Sequence, residues 1–363
     1  MTKYIHQLTD WPDFKWDNGV LLSVLTMVRH KQGRLKGYME VLGFALKNET
    51  LLQTLTLDVL KSTEIEGEIL NPDQVRSSIA RRLGMDIAGL VASDRNVDGV
   101  VEMMLDATQK FDKALTKDRL FGWHSALFPT GRSGMNKIVV GDWRTGPMEV
   151  VSGAMGRERV HYKAPEADIL EKEMKVFFKW FNAEEALDPV MKAAIAHLWF
   201  ITIHPFDDGN GRIARAITDM QLTRSDGDHL RFYSMSAQIQ RERNKYYDNL
   251  EKTQKGTLDI TEWLQWFLNC LNSALDITEE TFKRVLKKTQ FWDKHSATKI
   301  NERQRLLINK LFDGFHGNLT SSKWAKIAKC SPDTALRDIQ DLVDKKILKK
   351  GEEGGRSTNY VLK

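Results

Sequence analysis

Twelve consecutive residues, His204-Pro205-Phe206-Asp207-Asp208-Gly209-Asn210-Gly211-Arg212-Ile213-Ala214-Arg215, set an imidazole, two carboxylates, two glycines, an amide and two guanidiniums between two stretches of helical pattern. The first stretch is opened by Asp188 as N-cap and Pro189 as first helical residue, and runs through His197 and Phe200 to about Ile203. The second starts near Gly211 and reaches about Thr223. Glycines let the joint turn sharply and approach a ligand, and the N–H groups opening the second helix favour phosphate oxygens. Arg212 and Arg215, three apart on one helical face, can fork onto phosphates. An aspartate beside them suits the Mg²⁺ that a nucleotide carries. His204 is the only group in the segment that accepts a proton near neutral pH. A base, a metal carboxylate and an anion cradle together suggest phosphoryl or nucleotidyl transfer. As a plain polar turn any one of these residues is ordinary, but eight near-fixed positions coincide by chance about once in 10⁸ such chains.

The rest of the chain is patterned for helices. From about Val20 to Leu70 apolar residues recur at spacings of three and four with almost no strand signal, and Val20 to Val28 reads as a core helix too short to span a bilayer. Asn71, Pro72 and Gln74 are N-cap, first residue and N3 of a helix to about Leu83. A loop follows, and a second helical block begins near Val100 and includes Trp123, His124 and Leu127. Residues 129 to 165 differ. Gly and Pro cluster there around short β-type runs at Lys137 to Val140, Glu149 to Ser152 and Arg159 to Tyr162, which predicts a small β-hairpin flap turning at Gly153 to Gly156. Helices resume from Glu166 to Asn182 and continue to about Thr289.

Residues 296 to 363 carry 14 Lys and Arg against 8 Asp and Glu, a surplus of six that exceeds the whole chain's net +5. Their order is helix, helix, tight turn at Cys330-Ser331, helix, then strands at ILKK and TNYVL around a Gly351 to Arg356 loop. This is the order of a winged helix. The two cysteines, Cys270 and Cys330, lack the spacing for a zinc site and are too few for a disulfide framework. No basic, then apolar, leader opens the chain, so a cytoplasmic protein without membrane association is expected.

The segment from His204 to Arg215 resembles the Fic family signature HxFx(D/E)GNGRxxR without a mismatch. The resemblance implies an all-α fold, a Fic-type helical bundle with a small β-hairpin flap over the active-site loop. It implies a nucleotidyltransferase, a protein adenylyltransferase that moves AMP from ATP to a Ser, Thr or Tyr hydroxyl of a target protein. His204 is then the general base and Asp208 the Mg²⁺ carboxylate. Gly209, Asn210 and Gly211 form an anion hole, Arg212 and Arg215 hold phosphates, and Ile213 and Ala214 complete the nucleotide-binding stretch. Phe206 anchors the loop in the core. Intact Gly209 and Gly211 favour AMP transfer over kinase action.

A second motif, Ser62-Thr63-Glu64-Ile65-Glu66-Gly67, matches (S/T)xxxE(G/N). In the family this pattern marks an inhibitory helix, which implies that Glu66 pairs with Arg215 in the place of the ATP γ-phosphate. Read without the family, the segment is a helix end with Gly67 as C-cap. Asn244 to Leu250, with Tyr246 and Tyr247, resembles the stretch after the signature that helps hold the nucleotide base, and Gln254 stands where some relatives carry an adenine-binding Asn. The division expected is 1–98 for an N-terminal helical region with the inhibitory motif, 99–292 for the Fic catalytic domain and 296–363 for the winged helix. The resemblance leaves room for self-modification, a homo-oligomer and de-adenylylation at the same site. A DNA-binding regulator with the Fic part as nucleotide sensor is the competing class. Against it, Asp333, Asp338, Asp341 and Asp344 crowd the would-be recognition helix, where phosphates repel them.

Overall fold

Helices form where apolar residues recur at spacings of three and four, and the side chains of Asn71, Asp188 and Ser331 cap the starts that the sequence marks. The computed structural model describes residues 3–40, 43–87, 89–153, 157, 159–184, 186–312, 315, 317–351 and 358–363. Two compact units result, 1–278 and 279–363.

The first unit begins with α1 (Asn18–Glu40), α2 (Phe44–Ile65), α3 (Pro72–Arg82), α4 (Arg95–Gln109) and α5 (Lys117–Leu127). Asn71 caps α3 by accepting from the Asp73 and Gln74 N–H groups. The second helical block starts five residues before the expected Val100, because the Asp94 side chain accepts from Val97 N–H and caps α4 there. Val20 to Val28 is not a core helix. Leu21 and Val28 are buried, but Leu22 is 65% exposed, so α1 is amphipathic and covers the surface.

Two small hairpins follow. In the first, β1 (Arg132–Ser133) pairs with β2 (Asn136–Lys137), and Ile138 to Val140 leave the strand that the sequence suggested. In the second, β3 (Glu149–Ser152) pairs antiparallel with β4 (Arg159–Lys163), with a register shift between Val150 and Val151. Of the expected turn only Gly153 is described, and 154–156 lie outside the described residues.

Next come α6 (Leu170–Asn182), α7 (Pro189–Ile203), α8 (Asn210–Asp226), α9 (Met235–Arg241), α10 (Arg243–Gln254) and α11 (Thr261–Lys294). Every residue of α7 from Val190 to Ile203 is buried, which makes it the central helix of the bundle. It packs on α8, and residues 204–209 of the twelve-residue segment join the two.

The second unit contains α12 (Glu302–Phe312), α13 (Ser321–Ala328), α14 (Pro332–Asp344), β5 (Leu348–Lys350) and β6 (Tyr360–Leu362), around a core of Leu307, Ile308, Trp324, Ile339 and Leu342. The loop expected at Gly351 to Arg356 is described only at Gly351. The objection to DNA binding loses half its force. Asp338 is buried and accepts from Arg303 Nε at 2.8 Å, and Asp341 accepts from Gln304 Nε2 at 2.7 Å and pairs with Lys345. Asp333 and Asp344 remain exposed on α14, beside Arg337 and Gln340, and the Asp341 side chain, though paired, is 45% exposed. Among the described residues no helix is long and apolar enough to cross a membrane.

Candidate active site

The helix α7 ends at His204, whose backbone is left-handed (φ 51°, ψ 59°), a conformation that a non-glycine residue holds only when its surroundings impose it. Its Nδ1 lies 3.1 Å from the Ile201 carbonyl. A carbonyl only accepts, so Nδ1 carries the proton and Nε2 keeps a lone pair. Burial, with the Arg144 charge adding to it, pulls the His204 pKa down to about 4, so the ring is neutral at physiological pH.

The turn below it is braced from inside. Phe206 is fully buried and its ring stacks on His124 at 4.2 Å. Asn210 accepts from Phe206 N–H at 3.0 Å and donates to the Phe206 carbonyl at 2.8 Å, so its side chain is spent on bracing the loop. Gly209 sits at φ 80°, and a Cβ there would lie 2.9 Å from the Phe128 ring. Both requirements exclude any other residue.

The arginines meet α2 instead of solvent. Arg215 is 1% exposed; it donates from Nε to Ser62 Oγ at 2.8 Å and from Nη2 to the Ser62 carbonyl and to Glu66 Oε1, each at 2.7 Å. The helix end and the carboxylate pairing are one device. Gly67 N–H returns to the Glu64 carbonyl and Glu68 N–H to the Thr63 carbonyl, a Schellman closure with Gly67 at φ 88°. That turn aims Glu66 at the start of α8, where a Cβ on Gly211 would come within 2.0 Å of Glu66 Oε1. It also presents Glu68 to Arg212 Nη1 at 3.2 Å. Arg212 Nε and Arg215 Nη1 are buried without an acceptor among the described residues. An anion placed there would satisfy both.

Ile213 and Ala214 are both 0% exposed, so their side chains belong to the core. Gln254 is buried too, its amide on Thr202 Oγ1 at 3.3 Å. Tyr246 is core, bonded to His197 Nε2 at 2.9 Å. Tyr247 is 36% exposed and its hydroxyl reaches the Ile65 carbonyl at 3.4 Å, at the end of α2 and close to Glu66.

Asp208 accepts from the Ser133 hydroxyl and from Gly209 N–H. Among the described residues no group of three or more His, Cys, Asp or Glu side chains stands ready for a metal. One carboxylate is what a Mg²⁺ needs when phosphates and water supply the rest of its octahedron, so the residues fit an ion that enters with a nucleotide and not a resident one.

Four contributors carried no signal in the sequence. His124 accepts from Gly141 N–H on Nδ1 and therefore donates from Nε2 to the Asp208 carbonyl at 3.2 Å. Ser133, Arg144 and Glu68 hold Asp208, His204 and Arg212 in the same way, through tertiary contacts.

Residues 114–222 match the Fic/DOC family. The chain carries a Fic domain. Residues 4–85, upstream of it, match a domain of unknown function, DUF4172. Over 227 residues the chain is 28% identical to the protein adenylyltransferase Fic of Aedes aegypti, covering 60% of this chain and 40% of that one. The Drosophila melanogaster protein of the same name is 26% identical over 230 residues, covering 60% and 41%. The chain thus spans about two fifths of the length of these curated relatives. A crystal structure of a Fic family protein from Desulfovibrio desulfuricans G20 superposes with TM-score 0.54 at 20% identity, covering 95% of this chain and 96% of that one. Fic-1 from C. elegans superposes with TM-score 0.52 at 21% identity, covering 73% and 74%. The overall fold is therefore that of Fic proteins.

Proposed function

We propose that this protein is an adenylyltransferase that transfers AMP from ATP to a hydroxyl of a target protein, and that Glu66 holds it inhibited. The observation that carries the proposal is the Arg215–Glu66 pair over Gly211, 2.7 Å long, beside a neutral histidine whose Nε2 keeps its lone pair. The N-terminus of α8 and two buried arginines with unspent donors make an anion site, and a carboxylate from α2 already occupies part of it.

In the transfer, His204 Nε2 takes the proton of the target hydroxyl, whose oxygen then attacks the α-phosphorus. The bond to the β,γ-diphosphate breaks and pyrophosphate leaves. The N–H groups opening α8 stabilise charge on the phosphate oxygens, and Arg212 and Arg215 orient the triphosphate once Glu68 and Glu66 have withdrawn. Asp208, released from Ser133, would hold a Mg²⁺ that neutralises phosphate charge. With Glu66 in place the γ-phosphate loses its partner and meets a like charge, so ATP lies unproductively. The β3–β4 hairpin offers the target an open strand edge, since β3 pairs only with β4 among the described residues.

The test is incubation of the Glu66→Gly protein with ATP labelled on the α-phosphate, alone and with lysate, followed by mass spectrometry of labelled bands. Adenylyl groups on hydroxyl side chains are expected. Label transferred only from γ-labelled ATP would make the protein a kinase, and no transfer from either would end the reading.

A further inference from the structure

Arg144 lies outside every motif, is 2% exposed, and sends each of its donor groups to a different piece of backbone. Nε donates to the His204 carbonyl at 2.8 Å, Nη1 to the Gly146 carbonyl at 2.7 Å and Nη2 to the Pro165 carbonyl. Its own N–H donates to the Pro205 carbonyl at 3.0 Å. Gly146 and Pro165 are the two feet of the β3–β4 hairpin, closed between them by Ala164 N–H to the Met148 carbonyl at 3.0 Å. One side chain therefore ties both feet of the hairpin to the residue whose ring is the base.

No carboxylate hydrogen-bonds this guanidinium among the described residues; Asp207 and Glu166 act on it only through space. A buried cation satisfied by neutral carbonyls is a poor way to gain stability. It is a good way to fix three chains in register, because the planar fork presents several donors in set directions, whereas a lysine offers one compact point.

We infer that Arg144 is a positioning residue for the transfer, setting the distance between the strand edge that receives the target segment and the imidazole that takes the target's proton. The inference rests on the adenylyltransferase reading above. Arg144 makes no hydrogen bond to residues 209–215, so nucleotide binding is not its business. Burial keeps His204 neutral first of all; of the charges that act on the ring, Arg144 disfavours imidazolium while Glu66 and Asp208 favour it, and Asp207 and Glu166 in turn act on Arg144.

The experiment uses the full chain with Glu66→Gly as the active parent, and compares Arg144→Lys and Arg144→Gln in that background. Autolabelling from α-labelled ATP is followed against ATP concentration and against pH. Both variants should keep the ATP KM within about twofold and lose about tenfold or more in rate, the scale on which a misplaced reacting group is penalised. Only Arg144→Gln should also move the acid limb of the rate to higher pH, since removing a neighbouring cation makes imidazolium easier to form. Unchanged rate and unchanged limb in both variants would overturn the inference. So would loss of ATP binding in step with rate in both, which is what a residue that merely supports the fold would give. A Glu66→Gly parent that transfers no AMP is a different failure: it removes the adenylyltransferase reading itself, and this inference with it.

Discussion

Replacing Glu66 by glycine should raise autolabelling with ATP by more than tenfold. The carboxylate lies 2.7 Å from Arg215 Nη2, with the arginine side chain 2% exposed and the glutamate 30%. At that separation Coulomb's law gives about 1.5 kcal/mol with the dielectric of water and about 6 kcal/mol at an effective dielectric near 20. A glutamate still partly wet on one side and pressed against a buried guanidinium on the other lies between these limits. Even the lower one is about tenfold in a rate. The substitution leaves Arg215 held by Ser62 through two hydrogen bonds, at 2.8 and 2.7 Å, so the γ-phosphate's partner stays in place. Arg215→Ala should not reproduce the gain, because it removes that partner. Glu68→Ala should do much less, below about fivefold, since its side chain is 54% exposed and an ion pair of that kind contributes at most about 1 kcal/mol. The assay is incorporation of α-labelled AMP into the purified protein over time, wild type beside each variant. Should Glu66→Gly label no faster than a measurable wild type, residues 62 to 67 only end a helix and the electrostatic argument is wrong.

Other expectations follow from the same geometry. His204→Ala should lower transfer by about 10²-fold or more while ATP affinity, measured by calorimetry, changes little; equal loss of both would make the histidine structural. Burial holds His124 at about 4 and His197 at about 3, against 6.5 unfolded, so their neutral folded forms are fully favourable above pH 6.5 and stability falls as pH drops below it. Each adds up to about 1.4 kcal/mol per pH unit to that slope, and His197→Gln should flatten urea-unfolding free energies between pH 6.5 and 4. Arg231 pairs with Asp58 at 2.9 Å and Asp219 at 2.7 Å, both buried. Arg231→Met should cost about 3–5 kcal/mol in denaturant, with Asp219→Asn restoring part of it, because the single change strands two carboxylates. Removing residues 296–363 should leave autolabelling of Glu66→Gly within about twofold, since every residue of the site lies upstream. Duplex DNA should bind the full chain weakly in gel shifts, as Asp333 and Asp344 still flank Arg337; tight, salt-steep binding would refute that.

What the sequence discloses depends on whether a contact is local. His204 to Arg215 is legible because one turn must contain its base, its carboxylate, its glycines and its arginines in adjacent positions, and each type has a single chemical use there. Ser62 to Gly67 is legible for a related reason: a helix end has a pattern, and Glu66 stands at a fixed place in it. Glu68 escapes, although the same Gly67 turn directs it at Arg212. Two further positions follow from the pattern alone. Ala335, Ile339 and Leu342 define the buried stripe of α14, and Asp338 falls on that stripe, three after the first and four before the last, so its inward orientation follows from the period. Asp94 stands three before Val97 and reads as an N-cap. Arg144 is another matter. Its partners are the carbonyls of His204, Gly146 and Pro165, and every residue has a carbonyl, so nothing in the identity of those three residues announces the contact. A side chain that works by holding backbone can be found only once the backbone is placed. Residues that set the register between a binding edge and a catalytic group are for that reason the part of such a site that a linear reading omits.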